Sequence, residues 1–391
     1  MIINNLTLLV KGRLVKRDLY FEDKILYIKK GLTSGFNGSG LLLVPGLRNA
    51  HAHLASRLMK GTALGMNKYD YFDSIGFKMH KKRTKSDAYK SSMLACLEYL
   101  KNGVTHVDAM DMDPEPVIKA FKKTGMSYTE CIAVKDAHKE AGNPKKQLNK
   151  TLKLKKEYGK RIILGLANEY ECTPQLMRDG LAFAREHELP IHMHACETME
   201  EVRHMKELTG KRTIEYLHDI GMLDHDVRLA HCTYADSKDV LRLSRHDVPV
   251  LHCPTSNHSI TGNQAPIKDM LRNNVQVRIG TDIFAWNPSA SVLKEAWESH
   301  KKTGITIEQA YCLTHQQLAP GMDASFSLID LKELKPFKTV SELLAKLMNV
   351  NAIKSVYVKG KEVIRGGENT LGVKEDKLRR SVEKIRDKIL S

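Results

Sequence analysis

From residue 41 to residue 281 the chain keeps changing period: short apolar runs that read as strands alternate with amphipathic stretches that read as helices. The runs cover 41–44, 104–108, 127–134, 162–167, 190–195, 227–231, 249–252 and 275–281. Helical patterns fall between them at 86–100, 114–121, 174–187, 199–210, 237–245 and 265–271, and others follow at 289–302 and 307–313. Apolar strands separated by helices specify a parallel sheet covered by helices. Eight such units over roughly 250 residues match a (β/α)8, TIM-like barrel of the α/β class. A doubly wound open sheet is the other architecture of this kind, but no glycine-rich fingerprint follows the first strand to support it.

The two ends of the chain have a different rhythm. Short strand-like runs fill the first forty residues, divided by turn residues such as Lys11-Gly12 and Asp23-Lys24, and runs of similar length return at 324–330, 353–358 and 361–364. Residues 1–43 and 321–370 are therefore expected to pair into one small β domain beside a barrel of residues 44–320. Residues 371–391 carry Leu378, Val382, Ile385 and Ile389 among charged residues, as an amphipathic C-terminal helix would.

Composition narrows the function classes. No apolar run approaches the ~18–20 residues that cross a bilayer, and the N-terminus has neither a basic region nor a small-residue cleavage site. The 7 cysteines form no C-x-x-C pair, which suits reduced thiols in a cytoplasm. The formal charge of +16 raises the question of a nucleic-acid partner. Its densest lysine run, 144–160, lacks the interleaved aromatic residues of a base-stacking surface and reads as one solvated helix with Leu148, Leu152 and Tyr158 inward. The expected partner is a small-molecule substrate, with no nucleic acid and no membrane; a homo-oligomer stays open.

Polar residues recur where the strands end. Asn49-Ala50-His51-Ala52-His53 places two histidines at i, i+2, on one face of an extended chain. His192-Met193-His194-Ala195-Cys196-Glu197 closes another run, Leu229-Ala230-His231 the next, and Gly280-Thr281-Asp282 the last. Each is weak alone: a single strand-end histidine is more often structural, and a lone aspartate there is often a helix cap. In a barrel, however, all C-terminal strand ends converge on one mouth. His51, His53, His194 and Asp282 would then offer three imidazoles and a carboxylate to one divalent ion, Zn²⁺ before Fe²⁺ or Mn²⁺. Such an ion makes hydroxide available at neutral pH. Glu197 is placed to shuttle protons, His231 to orient the nucleophile or polarise the electrophile, and Asp282 to take the proton of the attacking water.

With these pieces, and with Val44-Pro45-Gly46-Leu47-Arg48, His252-Cys253-Pro254-Thr255-Ser256-Asn257 and Pro320-Gly321-Met322-Asp323-Ala324, the chain resembles the amidohydrolase superfamily. It is most similar to the branch of triazine chlorohydrolases and of cytosine, guanine and methylthioadenosine/adenosylhomocysteine deaminases. The resemblance implies a barrel flanked by a small β domain, the same ligands and catalytic residues, and hydrolytic deamination of an amino-substituted heterocycle. It also implies one metal ion, since 162–166 carries no lysine that could bridge two. Hydrolysis of a C–Cl bond, a cyclic amide or an imine would use the same site; a non-catalytic or nucleic-acid-binding protein is the alternative of another class.

The chain departs from its relatives near the substrate. Ala167 stands where many purine deaminases of the branch have a ring-binding histidine, which argues against an adenosine-type substrate. Ile283-Phe284-Ala285-Trp286 follows the metal aspartate in place of a small residue, and the segment around 314–321 is short. Trp286 could stack on a flat heterocycle or pack at the rim. Glu169 could accept from ring N–H groups or be a surface carboxylate. Arg57 could hold an anionic substituent or be solvated.

Overall fold

The computed structural model describes residues 1–138 and 141–391. Two parallel sheets lie at its centre. One takes its strands in the order Val277–Ile279, Val250–His252, Val227–His231, Ile191–Ala195, Leu164–Leu166, Ala133–Val134; the other runs Asp282–Ile283, Leu47–His53, Val104–Met110, Ser127–Cys131. Every neighbouring pair in both is parallel. Backbone hydrogen bonds link the two sheets on both sides: Ile163 N donates to Glu130 O (3.1 Å) and Thr281 N to His51 O (3.1 Å).

Helices connect the strands close to where the apolar spacing puts them, at Lys85–Lys101, Pro114–Thr124, Pro144–Tyr158, Pro174–Glu186, Met199–Thr209, Ser237–Arg245, Ile267–Arg272 and Val292–Thr303. Their starts are written locally. Thr84, Thr198 and Asp236 close capping boxes, and Pro114, Pro144 and Pro174 occupy the first helical position, where a missing N–H costs nothing. In the lysine-rich helix Leu148, Leu152 and Tyr158 are half-buried against the core, as expected, and Leu154 and Thr151 are buried.

Both chain ends build a nine-stranded sheet, ordered Glu368–Asn369, Lys361–Arg365, Ile353–Val358, Phe326–Asp330, Leu41–Pro45, Ile2–Val10, Arg13–Phe21, Ile25–Lys29, with Phe36–Asn37 beside Ile2–Val10. Two of its hairpins turn on two residues with positive φ, Lys11-Gly12 (47° and 73°) and Lys359-Gly360 (48° and 73°), which match the strand twist. At Gly360 the backbone also passes so close that an added Cβ would lie 1.7 Å from Glu22 O.

The first apolar run belongs to this sheet and not to the parallel set. Leu41–Pro45 pairs antiparallel with Phe326–Asp330, and the first parallel strand is Leu47–His53. The run reads as a doubly buried strand because it is one. Leu41 and Leu43 face the smaller core with Phe21 and Phe326, while Leu42 and Val44 face the main core. Pro45-Gly46 is the crossing between sheets. A Cβ on Gly46 would meet Thr105 Oγ1 at 2.2 Å and Ser325 O at 2.9 Å, so only glycine passes there.

The C-terminal helix, Glu375–Leu390, buries Val382 and Ile389 and lies against Lys85–Lys101, where Arg379 meets Glu98 (3.0 Å) and Lys101 meets Glu375 (2.7 Å). Residues 54–82 form a 3₁₀ turn (Leu54–Met59) and three short helical pieces, Lys68–Tyr71, Phe72–Gly76 and Phe77–Lys82, for which the periodicity offered no reading. This segment contributes much of the wall of the cavity described next.

Candidate metal centre

The ends of four parallel strands bring their polar residues together. His51 and His53 close Leu47–His53, His194 lies in Ile191–Ala195, His231 ends Val227–His231 and Asp282 opens Asp282–Ile283. One ligand atom from each of His51, His194, His231 and Asp282 falls within 4.8 Å of all the others. His53 borders this group, with Nε2 3.3 Å from Asp282 Oδ1 and 3.3 Å from His194 Nε2. His51 Nε2 is likewise 3.3 Å from Asp282 Oδ1.

Each imidazole is oriented from behind. His53 Nδ1 donates to Met110 O (2.5 Å), His194 Nδ1 to Ala167 O (2.5 Å) and His231 Nδ1 to Asn257 Oδ1 (2.8 Å), while His51 Nδ1 meets His192 Nε2 at 2.9 Å. With Nδ1 engaged, the lone pair on Nε2 is left to face the group, the arrangement that second-shell partners give to metal-binding histidines. His51 Nε2 and His231 Nε2 are buried and make no hydrogen bond among the described residues. A bound cation would satisfy His51 Nε2, and a water beside it would satisfy His231 Nε2, so the donor set fits a divalent metal. Asp282 Oδ2 accepts from Ser256 Oγ.

Burial favours the neutral imidazole, the state a ligand needs, at three of these histidines: it pushes His51 down to about 4 and holds His194 and His192 well below their usual range, whereas at His53 the adjoining Asp282 outweighs burial and the pKa is raised. Burial works against an ionised Asp282, yet the adjoining His51 and His53 outweigh it and hold the carboxyl well below the ordinary value. The backbone is strained at these strand ends. Cys196 (φ 50°), His231 (70°), Cys232 (48°) and Asp282 (61°) all sit in the left-handed region, which costs about 1–3 kcal/mol each and gathers at functional sites.

The group lies in a cavity of about 450 Å³, within the usual range for small-molecule sites. His53, His194, His231, Glu197 and Asp282 all line it. Glu197 is 3% exposed, and its Oε2 lies 3.7 Å from His231 Nε2 and 2.6 Å from Lys68 Nζ. Burial opposes its charge, but His231 and Lys68 hold it below the normal range.

The three expected substrate contacts fare differently. Trp286 lines the cavity, but its ring packs edge-on against Tyr71 (4.7 Å) and its Nε1 donates to Met66 O (3.0 Å), so it anchors the 54–82 segment. Arg57 is absent from the lining. Its guanidinium is buried in a two-pronged pair with Glu98 (2.7 and 2.8 Å), beyond reach of an anionic substituent. Glu169 is absent too, and fully buried; its Oε1 accepts from Cys196 N (2.7 Å) and Thr213 Oγ1 (2.8 Å). It braces the turn after His194.

Several lining residues carry no sequence signal. Lys68, Tyr69 and Arg83 come from the segment after the first parallel strand, and Lys135 and Tyr170 from later loops. Asp111 had one: it follows Met110 at a strand end, the position that marked the others. Its carboxylate accepts from Leu54 N (3.0 Å) and Ala55 N (3.1 Å), fixing the chain just past His53, and burial pushes it up to about 6.

The chain is similar to several known proteins. A 5'-deoxyadenosine deaminase from Methanococcus maripaludis is 27% identical over 95% of this chain and 93% of its own length. A 5-methylthioadenosine/S-adenosylhomocysteine deaminase from Archaeoglobus fulgidus is 29% identical over 76% of this chain and 73% of its own. The crystal structure of a zinc-bound adenosine deaminase from Xanthomonas campestris superposes with a TM-score of 0.87 over 99% of each chain, at 18% identity, and so shares the fold. The family model for the amidohydrolase family matches residues 42–363, and the chain belongs to that family.

Proposed function

We propose that this protein is a zinc-dependent hydrolase that removes the exocyclic amino group of a purine nucleoside as ammonia. The observation that carries the reading is the group of imidazoles and a carboxylate at strand ends beside a buried Glu197, in a cavity large enough for a nucleoside. In this reading His51, His53, His194 and Asp282 hold a single metal ion. His53 is preferred to His231 as the third imidazole because its Nε2 is 3.3 Å from both Asp282 and His194, whereas His231 Nε2 is turned toward Glu197. When bound, such an ion would supply Lewis-acid chemistry that makes hydroxide available near neutral pH.

The chain's own residues do the rest. Water oxygen bonds to the amino-bearing ring carbon, the C–N bond breaks, and one proton moves from water to the departing nitrogen. Glu197 carries that proton, with Asp282 as the first acceptor. His231, whose Nδ1–H is committed to Asn257, offers Nε2 as an acceptor that orients the water.

The expectation drawn from Ala167 against an adenosine-type substrate is set aside, because the two relatives are named for adenosine derivatives. Position 167 serves His194 through its carbonyl, which any side chain permits. Reading of the base then falls to Tyr69 and Tyr170, whose rings lie 5.2 Å apart in the cavity wall.

The same reading takes the two parallel sheets as one closed (β/α)8 barrel, supported by the hydrogen bonds that link them on both sides, and the nine-stranded sheet as a small β domain. An ammonia-release screen over aminopurines, their nucleosides and aminopyrimidines tests the function. Ammonia from a purine nucleoside, lost on chelation, is the expected result. Chloride or a ring-opened product from the corresponding substrates, without ammonia, would assign the site to the alternative hydrolytic reactions.

A further inference from the structure

Lys68 lines the cavity, and the reaction described above gives it no task. Its side chain is 11% exposed, and its ammonium lies 2.6 Å from Glu197 Oε2 and 2.6 Å from Glu201 Oε1. The two carboxylates belong to the start of one helix: Glu197 precedes the cap residue Thr198, and Glu201 closes the capping box. Lys68 comes from elsewhere, the short helix Lys68–Tyr71 in the segment after the first parallel strand. The next residue repeats the link, with Tyr69 Oη 3.1 Å from Thr198 Oγ1. One buried cation therefore faces two buried anions across the junction between this covering segment and the Met199–Thr209 helix.

We propose that Lys68 is a positioning residue for Glu197, coupling the seating of residues 67–76 over the cavity to the orientation of the carboxylate that moves the proton; this rests on the role given to Glu197 above. The physical reason is the local charge balance. Without the ammonium, Glu197 and Glu201 remain as two buried like charges with no cation between them, and one must turn away or take a proton. Glu197 has the freedom to turn, because Glu201 stays bonded to the cap through Thr198 N (3.1 Å). Trp286, Tyr71 and Phe72 hold the far side of the covering segment by packing. Lys68 and Tyr69 are its polar ties to the helix that follows Glu197.

The test compares Lys68→Met and Lys68→Arg with the wild type, all metal-loaded, in two readouts. In ammonia release from 5'-deoxyadenosine, Lys68→Met should lower kcat by about 100-fold, the cost of a misplaced catalytic group, with KM moving less than about threefold, and Lys68→Arg should recover most of the loss because it keeps the charge. In hydrogen exchange, backbone amides of 67–76 should exchange faster in Lys68→Met and not in Lys68→Arg. Wild-type kcat in Lys68→Met, or a loss confined to KM, would overturn the positioning role. Unchanged exchange in Lys68→Met would overturn the coupling. If the wild type releases no ammonia from this or any other purine nucleoside, the functional reading falls, and the exchange comparison alone decides whether Lys68 seats the segment.

Discussion

Glu169→Gln should remove a pH dependence from the stability of the fold and leave KM unchanged. The Glu169 carboxyl is fully buried, Oε1 takes both available hydrogen bonds, and Oε2 has no partner among the described residues. Burial, and then the nearby Glu201, push its pKa from 4.5 up to about 8. The folded protein therefore holds a proton at pH 7 that the unfolded chain releases. A group raised in this way gives its full stabilisation below about pH 4.5 and loses it as the pH rises toward 8. The loss amounts to 1.36 kcal/mol per pH unit, about 2.7 kcal/mol between pH 5 and pH 7. Glu169→Gln keeps the shape and both hydrogen bonds of Oε1 and removes the titration. Urea unfolding at pH 5, 6 and 7 should show the variant gaining on the wild type by about 1.4 kcal/mol per unit, while KM for the substrate stays put because the side chain does not line the cavity. Parallel stability profiles would mean that Glu169 is ionised in the folded protein. A large rise in KM would return it to the substrate.

Other outcomes follow from the same geometry. Glu197→Gln should keep the metal, measured by elemental analysis, and lose about 10²–10⁴-fold in kcat, the usual worth of a proton carrier. His192→Ala removes the group behind His51 Nδ1 and should weaken metal affinity by about 10–100-fold in competition with a chelator. Arg57→Met leaves Glu98 with Arg379 (3.0 Å) and Lys60 (3.7 Å) as its remaining cations among the described residues. It should cost about 3 kcal/mol of stability in thermal or urea unfolding and leave kcat unchanged; a selective rise in KM for an anionic substrate would contradict that placement.

How much of this was legible in the sequence depends on how local each signal is. The His51/His53 pair, His194 with Glu197, His231 and Asp282 were readable because strand periodicity and the convergence of strand ends are properties of short stretches. Asp111 obeys the same rule, but the apolar run that marks its strand stops at residue 108. Lys68 could not be found that way. It meets Glu197 across 129 positions, from a segment with no clean period. Arg57 and Glu169 stand where a substrate contact is plausible by position, but sequence does not say which way a side chain turns, and their partners Glu98, Cys196 and Thr213 lie 41, 27 and 44 residues away. Residues 41–44 read like members of the parallel set because a strand between two cores and a parallel strand under helices are both apolar on two faces. The C-terminal helix, read from one apolar stripe, came out at Glu375–Leu390 with Val382 and Ile389 inward.

One divalent ion, held by the strand-end histidines and Asp282, is proposed to make the cavity a deaminase. Titrating Zn²⁺ into metal-free protein while following ammonia release from 5'-deoxyadenosine tests it directly. Activity should rise linearly to one equivalent per chain, stay flat beyond it, and never appear in His194→Ala under the same titration. Turnover without metal, a rise that continues to two equivalents, or full activity in His194→Ala would rule out a single ion at this site as the source of activity.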